Sequence, residues 1–376
     1  MENILFLINH AGKAGTERYV RILAENAADY GMRPFFAYNE PGPLLDQLRE
    51  SGVASRRLPM AGPFDLAAAR NLAHICEELR IGVVHTNYLR ENYIAVMAKS
   101  LFCKRLRVIY TNHFVTTNSL PVKIINRIMT RANHRIISVC ETGAPNLIKN
   151  GNARSRIIVI HNAVDPLLWK PGPGYGEIRE HTRRLYDVGP DEKVFFCASR
   201  FAHDKGHKFF IESIEKLVIN YGCEGFRVLL AGDGPLLEET RSLAEARGLA
   251  GVISFIGFVG DIKPLFYASD VYVNPSQHEA FSFLILEALA SGLPVIATDM
   301  GGNREIINEK NGCGALISYG DTEALRDAIQ SYRTGAAPLE EEKVNALRTI
   351  GEKFALSDML AKTFALLAKT ENEKKI

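Results

Sequence analysis

Two glutamates with seven residues between them lie in the stretch 274–305, which reads NPSQHEAFSFLILEALASGLPVIATDMGGNRE. Apolar residues at helical spacing predict a helix over 280–290, with Glu279 just before it and Glu287 on a mostly apolar face. Burying a glutamate is costly unless a partner pairs with it, and an ionised carboxylate can accept hydrogen bonds from two sugar hydroxyls. The amides at the helix start, 281–284, suit a phosphate. The spacing alone equally allows a helix-capping acid and a solvated acid.

Two cations lie together in one loop after a strand predicted over 194–198. Arg200 and Lys205 both belong to the sequence SRFAHDKG. In parallel sheets, ligands bind beyond the carboxyl ends of the strands, and a guanidinium with an ammonium could neutralise a diphosphate there. Taken alone, the two residues could also be a surface pair. Their convergence with the two glutamates and a helix N-terminus favours the functional interpretation.

The same rule about strand ends selects residues in the first half of the chain. A strand over 4–8 is followed by a Gly-containing loop and a helix, which favours an anion near Gly15. The glycines do not match a dinucleotide fingerprint, and a plain turn is equally consistent. His113 follows a strand predicted over 107–110; it could handle a proton, donate to a sugar, or be an ordinary loop histidine. Thr86–Asn87 end another strand.

Strands alternate with helices through both halves of the chain, which predicts the α/β class with parallel sheets covered by helices. A chain of 376 residues is too long for one ordinary core. Residues 166–192 are rich in Pro and Gly and resemble a linker. We therefore expect two domains, 1–165 and 166–355.

The amino-acid composition indicates a globular protein and disfavours several other classes. Hydrophobic residues make up 47% and charged residues 23%, as in soluble globular proteins. The net charge of +2 does not favour nucleic-acid binding. Six cysteines without a CxxC pair indicate neither a zinc site nor a disulfide framework, which fits a reducing cytoplasm. The N-terminus does not read as a signal peptide, and no apolar stretch approaches the ~20 residues of a membrane span.

Residues 123–135, KIINRIMTRANHR, predict a helix with an apolar stripe and several cations. Such a helix can lie on an anionic membrane surface or face a phosphorylated acceptor. A core-facing helix with a solvated basic face is the alternative. We expect any membrane contact of the chain to be peripheral and to use this segment.

Assembled, these motifs resemble those of the family 4 retaining glycosyltransferases of the GT-B fold, over nearly the whole length. The glutamate pair is the most specific of them. The others are AGTERYV at 14–20, IHNAVD at 160–165, SRFAHDKG at 199–206, AGDGP at 231–235 and FIGFV at 255–259. The first is similar to a Gly-Gly-x-Glu-Arg turn, with Ala14 in place of the first glycine.

The resemblance implies two Rossmann-like domains facing each other across a cleft, with a C-terminal helix, 356–376, packing back on the first domain. It implies that Arg200 and Lys205 bind the donor diphosphate and that Glu287 holds the ribose hydroxyls. Glu279 would contact the transferred sugar, and His113 would lie near it; these two are the implied catalytic residues. The other implied donor-binding residues are Gly15, Gly232, Phe258, Ala280, Phe281, Ser282, Phe283 and Leu284.

Breaking a sugar–phosphate bond places negative charge on the departing diphosphate, which two cations and a helix dipole would stabilise. We therefore expect no metal and no other cofactor, and the sequence shows no Asp-x-Asp pair placed to hold a metal. The resemblance implies that the leaving phosphate itself takes the proton of the acceptor.

The expected donor is a UDP-sugar. GDP-mannose is the nearest alternative, because base contacts in this fold are largely made by backbone, here near 257–259. The resemblance and the basic helix together indicate a glycan or lipid-linked acceptor in the bacterial envelope, and a cytoplasmic enzyme, with association at the inner face of the membrane left open. A UDP-sugar 2-epimerase and a non-catalytic nucleotide-sugar-binding protein are the competing classes.

Overall fold

The computed structural model describes residues 1–368, and the chain divides into two compact units. The first unit comprises Met1–Asn162 and the described residues from Ser357 to Ala368, and the second comprises Ala163–Leu356. Residues 369–376, the end of the predicted C-terminal helix, lie outside the described residues.

The first unit contains a parallel sheet of seven strands in the order β3-β2-β1-β4-β5-β6-β7. Ile4–Ile8, in an interior strand of this sheet, are fully buried, as expected for a strand covered on both faces. The strands are β1 (Glu2–His10), β2 (Met32–Glu40), β3 (Ala54–Arg57), β4 (Ile81–Thr86), β5 (Arg107–Asn112), β6 (Arg135–Ser138) and β7 (Ile157–Val159).

Helices follow most of these strands, so the crossover units expected of a parallel sheet are present. The α3 helix, for example, begins after Asp65, whose side chain accepts a hydrogen bond from the Ala68 amide and caps the first turn. The helices are α1 (Gly15–Asn26), α2 (Leu44–Glu50), α3 (Leu66–Glu78), α4 (Leu89–Met97), α5 (Leu120–Met129) and α6 (Gly143–Lys149).

The second unit repeats this architecture with six parallel strands in the order β10-β9-β8-β11-β12-β13. Its strands are β8 (Lys193–Ala198), β9 (Phe226–Ala231), β10 (Ile253–Gly257), β11 (Val271–Asn274), β12 (Val295–Thr298) and β13 (Gly314–Ile317). Its helices are α7 (Pro166–Trp169), α8 (Tyr175–Leu185), α9 (His207–Tyr221), α10 (Leu237–Ala246), α11 (Lys263–Ala268), α12 (Phe283–Ala290), α13 (Asn303–Ile306), α14 (Thr322–Arg333) and α15 (Leu339–Lys353).

The last helix, α16 (Leu356–Leu367), packs on the first unit although it follows the second in sequence. The ring of Phe364 stacks on Tyr30 with 4.5 Å between ring centroids. Arg107 donates hydrogen bonds to the carbonyl oxygens of Leu367 (2.7 Å) and Ala368 (2.8 Å).

Each sheet has one point at which the strand order reverses. It lies between β1 and β4 in the first unit and between β8 and β11 in the second. Loops leaving adjacent strands diverge to opposite faces at such a point, which opens a crevice where ligands bind in this class of fold.

The predicted α/β class is confirmed, and the differences are local. The helix predicted from residue 280 begins at Phe283, because Ala280 accepts a hydrogen bond from the Gly302 amide and Ser282 caps the first turn. The helix predicted over 123–135 is α5, which begins at Leu120 and ends at Met129 before a short 3-10 turn. Within residues 1–368, no helix has the length and apolar character required to cross a bilayer.

Candidate functional site

Lys205 and Glu279 form an ion pair at the crevice of the second unit. The Lys205 Nζ atom lies 3.3 Å from the Glu279 Oε2 atom, and about a fifth of each side chain is exposed. Lys205 belongs to the loop after β8, and Glu279 to the loop after β11, so the pair bridges the two loops that diverge there. The sequence placed both residues in one site but did not predict their pairing.

Backbone contacts between the two loops hold the pair in place. Gly206 has a φ of +72°, and a Cβ atom added to it would lie 1.9 Å from the carbonyl oxygen of Pro275. The Gln277 amide donates a hydrogen bond of 2.8 Å to the carbonyl oxygen of Asp204. Glycine is therefore required at 206 on two counts: the left-handed backbone and the close approach of the second loop.

A third loop, after β12, supports Glu279 from its backbone. Gly301 has a φ of +53°, and a Cβ atom there would lie 1.7 Å from the carbonyl oxygen of Glu279. The neighbouring Gly302 amide donates to the carbonyl oxygen of Ala280 at 2.7 Å. The Gly-Gly pair after β12 thus fixes where the chain turns into α12.

The α12 helix begins beside this ion pair. Its cap is Ser282, whose hydroxyl accepts a hydrogen bond of 3.4 Å from the Ile285 amide. Ala280 and Leu284 are partly exposed, whereas Phe281, Ser282 and Phe283 are buried. Amides in the first turn of a helix lack intrahelical acceptors, and the helix dipole adds partial positive charge, so this end can bind an anion.

Glu287 lies one turn further along α12 and is only 1% exposed. Glu287 therefore lies, as predicted, in a helix among apolar residues. Its assignment to ribose hydroxyls stays a prediction.

Three other predicted donor-binding residues follow the ends of β8, β9 and β10. Arg200 is exposed, and no carboxylate of residues 1–368 forms an ion pair with it. Gly232 has a φ of +136°, and a Cβ atom added there would lie 2.0 Å from the Ser199 carbonyl oxygen. The Gly232 amide donates a hydrogen bond of 2.8 Å to the Gly257 carbonyl oxygen. Close packing of strand ends thus explains this glycine without a ligand. Phe258 is exposed.

His207, which sequence reasoning missed, lies under the Lys205 loop at the start of α9. Its ring stacks on Phe201 with 4.0 Å between centroids, and its Nε2 atom lies 3.1 Å from the Ser199 hydroxyl oxygen. Burial, assisted by the nearby Lys205 charge, lowers the pKa of His207 to about 4. The ring is therefore neutral at physiological pH, and it supports the loop without adding charge. In the sequence, His207 directly follows Gly206 of the motif SRFAHDKG, and this position could have indicated that it lies beside the candidate site.

In the first unit, Gly15 opens α1 and is exposed. The Glu17 carboxylate accepts a hydrogen bond of 3.1 Å from the Ala14 amide, and burial raises the pKa of Glu17. An acidic side chain already satisfies one amide at this helix start, so the anion site expected near Gly15 has fewer free donors than the sequence suggests.

His113 lies after β5, as predicted. Its Nε2 atom is 3.1 Å from the Asn87 Oδ1 atom, and its ring meets Tyr19 edge-on with 4.9 Å between centroids. Burial, with a smaller contribution from His85, lowers the pKa of His113 to about 3. A ring with so low a pKa is a weak base at physiological pH. Of the roles that the sequence left open, this environment disfavours proton uptake and leaves both hydrogen bonding to a sugar and an ordinary loop histidine.

Glu91 is a second residue that the sequence analysis missed, at the crevice of the first unit. Its Oε1 atom accepts a hydrogen bond from the Asn9 amide, and burial raises the pKa of the carboxyl to about 7. It contributes to a cavity of about 250 Å³ lined by Asn9, His10, Glu17, Tyr88, Arg90 and Glu91. The rule about strand ends selects Asn87, which directly follows β4, but it does not select Glu91, which lies in the first turn of the next helix, α4.

No group of three or more His, Cys, Asp or Glu side chains within residues 1–368 is arranged to hold a metal ion. Asp233, in the loop after β9, is the acidic residue of the sequence motif AGDGP.

Two family models match the chain, one in each half. Residues 14–167 match the model described as Glycosyltransferase Family 4. Residues 192–333 match the model described as Glycosyl transferases group 1.

Two curated relatives align over most of their own lengths. N-acetyl-alpha-D-glucosaminyl L-malate synthase of Bacillus anthracis is 25% identical over 77% of this chain and 73% of its own. D-inositol 3-phosphate glycosyltransferase of Corynebacterium urealyticum is 26% identical over 84% of this chain and 81% of its own.

Among solved structures, Anabaena Alr3699/HepE in complex with UDP and glucose superposes with a TM-score of 0.86. The match covers 98% of this chain and 100% of that one, at 20% sequence identity. This likeness shows the fold. Together with the two family models, it identifies the chain as a glycosyltransferase of family 4 type with the GT-B fold.

Proposed function

We propose that this glycosyltransferase transfers a sugar from a UDP-sugar to a glycan or lipid-linked acceptor, with retention at the anomeric carbon and without a metal ion. The setting we propose is the synthesis of bacterial cell-envelope polysaccharide. The observation that carries the proposal is the Lys205–Glu279 pair, at the crevice of the second sheet and beside the start of α12.

Charge development explains why this arrangement suits transfer from a nucleoside diphosphate. The departing diphosphate gains negative charge, and Lys205, Arg200 and the α12 amides would stabilise that charge where it forms. Glu279, held against Lys205 from one side, has a second carboxylate oxygen to offer to a sugar hydroxyl. Three sources of positive potential supply what a metal ion supplies in other transferases.

A UDP-linked donor is supported by the Anabaena structure, which holds UDP and glucose in a chain of the same fold. In our proposal, the exposed Phe258 and its neighbouring backbone, at the end of β10, contact the base. GDP-mannose remains the alternative donor, since backbone groups discriminate weakly between bases. Glu287 would hold the ribose.

The test is donor hydrolysis by the purified protein, measured as nucleotide release from a panel of UDP- and GDP-sugars with and without EDTA. We expect slow release from one UDP-sugar, unchanged by EDTA. Release that EDTA abolishes would refute metal independence, and release from GDP-mannose alone would move the donor to the alternative. Conversion of UDP-GlcNAc to its 2-epimer would place the chain in the isomerase class.

Binding of UDP, measured by calorimetry, tests the diphosphate site directly. Lys205→Ala removes a charge-assisted hydrogen bond, and we expect affinity to fall about tenfold or more. Lys310→Ala makes the same charge change at an exposed position of the same unit and should change affinity less than about twofold. Equal effects of the two substitutions would show that Lys205 does not contact the diphosphate.

Acceptor specificity is tested once the donor is known. The names of the two curated relatives specify small acceptors, L-malate and inositol 3-phosphate, so these belong in the panel beside lipid-linked saccharides. Transfer to a lipid-linked saccharide, with retention measured by NMR of the new anomeric centre, is the expected result.

A further inference from the structure

The α5 helix presents a row of apolar side chains to solvent. Leu120, Ile124 and Ile128 are 70%, 55% and 67% exposed. Their spacing of four residues places them in one row along the helix, which we call the apolar ridge. Asn126, on the other side, is fully buried. In an ordinary surface helix the apolar stripe faces the core, whereas α5 exposes one apolar row and keeps a second, Val122, Ile125 and Met129, half-buried.

Hydrogen bonds, together with the packing of Met129 against the core, hold the inward side of α5. The Tyr93 hydroxyl donates to the Asn126 Oδ1 atom at 2.6 Å, and the Asn126 Nδ2 atom donates to the Asn150 carbonyl oxygen at 2.8 Å. The Ala153 amide donates to the Thr130 hydroxyl just beyond the helix at 3.1 Å. Rotating the helix to bury the ridge would leave these buried groups unpaired, at a cost of about 1–3 kcal/mol each.

Cations flank the apolar ridge. Lys123, Arg127 and Arg131 lie on or just beyond α5, and no carboxylate of residues 1–368 forms an ion pair with any of them. The surrounding segment, 104–160, holds ten Lys and Arg residues and a single acidic one, Glu141, in a chain with 45 basic and 43 acidic residues overall. The basic residues of the chain are therefore enriched in the sequence segment that contains α5, although one of them, Arg107, is buried and paired with Glu2.

We propose that the apolar ridge docks on an anionic lipid bilayer, with its side chains at the boundary between headgroups and acyl chains and the flanking cations against lipid phosphates. Apolar insertion and attraction to anionic lipids together give the peripheral binding typical of interfacial helices. A second copy of this chain is a poorer occupant, because a two-fold contact through the ridge would bring the same cations together. This inference does not depend on the transfer reaction.

The experiment is co-sedimentation of the full chain with vesicles of phosphatidylcholine alone or mixed about 2:1 with phosphatidylglycerol. We expect binding to the anionic vesicles that weakens as salt rises. Ile124→Ser with Ile128→Ser should lower partitioning about tenfold or more. Arg127→Gln with Arg131→Gln should lower it about fivefold for each cation removed.

The matched control is Leu185→Ser with Ile219→Ser, which alters two apolar side chains of the second unit that are 63% and 73% exposed. It should bind vesicles as the unaltered chain does. Absence of binding to anionic vesicles, or equal loss in the control and ridge variants, would overturn the proposal. So would a concentration-dependent dimer, seen by sedimentation equilibrium without lipid, that the ridge variant abolishes.

Nucleotide release in solution separates this proposal from the proposed function. The ridge variant should release nucleotide from the donor as fast as the unaltered chain when no vesicles are present. Failure of vesicle binding with normal release contradicts only the membrane inference, whereas vesicle binding without release from any donor contradicts only the transferase proposal.

Discussion

The Lys205–Glu279 pair shows how one side chain can prepare another for a ligand. The two groups lie 3.3 Å apart and are partly exposed, so water screens their attraction and the pair contributes little to stability. In the proposed function its role is positional, because Glu279 would keep the lysine at the crevice before a diphosphate binds. A pair of this kind is consistent with a site in which both partners also have ligand contacts to make.

Replacing Glu279 by Gln therefore separates catalysis from binding. The amide keeps the shape and one oxygen acceptor but loses the charge, so we expect kcat to fall about 10²–10³-fold while UDP affinity changes less than about threefold. Rapid-quench kinetics with the donor identified by hydrolysis, together with calorimetry for UDP, make the comparison. Turnover equal to that of the unaltered protein would exclude Glu279 from the reaction.

Glu91 allows a prediction about pH. Burial is the main cause that raises its pKa from 4.5 to about 7; the Asn9 amide and Arg90 oppose the rise, and Glu17 adds to it. Between these two pKa values the folded state holds a proton that the unfolded state has lost. The contribution of Glu91 to stability is thus fully present below pH 4.5 and declines as pH rises through 7, by about 3 kcal/mol in all.

Glu91→Gln retains an oxygen acceptor for the Asn9 amide and removes this titration. Relative to the unaltered protein, the variant should gain free energy of unfolding as the pH is raised from about 5 to about 8, as measured by urea denaturation at each pH. Glu50→Gln, at an exposed position of the same unit, provides the baseline. A difference that stays constant with pH would show that Glu91 titrates normally in the folded protein.

At the scale of the element, the loops that carry the candidate site depend on glycine. Gly206 and Gly248 have nearly the same backbone angle, φ of +72° and +69°. A Cβ atom added at Gly206 would lie within 2 Å of a backbone oxygen, whereas one added at Gly248 would have no neighbour within 4 Å. Alanine at either position costs about 1–2 kcal/mol through the left-handed backbone.

Gly206→Ala should therefore lower the free energy of unfolding at least about 1 kcal/mol more than Gly248→Ala does. It should also slow nucleotide release, because the loop that holds Lys205 must move away from Pro275. Urea denaturation and the donor assay on both variants test this. Equal destabilisation with unchanged release would mean that the contact between the two loops is not needed to place Lys205.

Sequence periodicity predicted most strands and helices because these elements are apolar on both faces or on one. It missed β3, whose residues ASRR are all exposed at the edge of the sheet and give no apolar signal. It also missed β13. For α5 it predicted apolar residues at helical spacing but not which of them face solvent. That orientation depends on a buried hydrogen bond between Asn126 and Asn150, which are twenty-four residues apart in the chain.

At the scale of the whole molecule, the order of strands is what brings distant residues of the candidate site together. The rule for parallel sheets selected the loop of Arg200 and Lys205 from the sequence, because it depends only on the strand that precedes the loop. Glu279 was selected by its position before a predicted helix and by its spacing from Glu287. The sequence could not show that β8 and β11 are adjacent, and so it could not predict the contact between Lys205 and Glu279. Contacts between residues so far apart in the chain require the fold.

The path of the chain leads to a prediction about α16. This helix follows the second unit in sequence, but Phe364 is buried against Tyr30 of the first unit. Phe364→Ala should cost about 3–5 kcal/mol, and the loss should fall on the first unit. Lys362→Ala, at an exposed position of the same helix, should be nearly neutral.

Hydrogen exchange resolved by peptide distinguishes the two units in these variants. In Phe364→Ala, amides of β1, β2 and β4 should exchange faster, because opening of the first unit becomes easier. Amides of β8 and β11 should keep their protection, and UDP should bind within about twofold of its normal affinity, since the Lys205 and Glu279 loops belong to the second unit. Equal loss of protection in both sheets would mean that the two units unfold as one, and that the domain organisation predicted from the sequence does not describe how the chain unfolds.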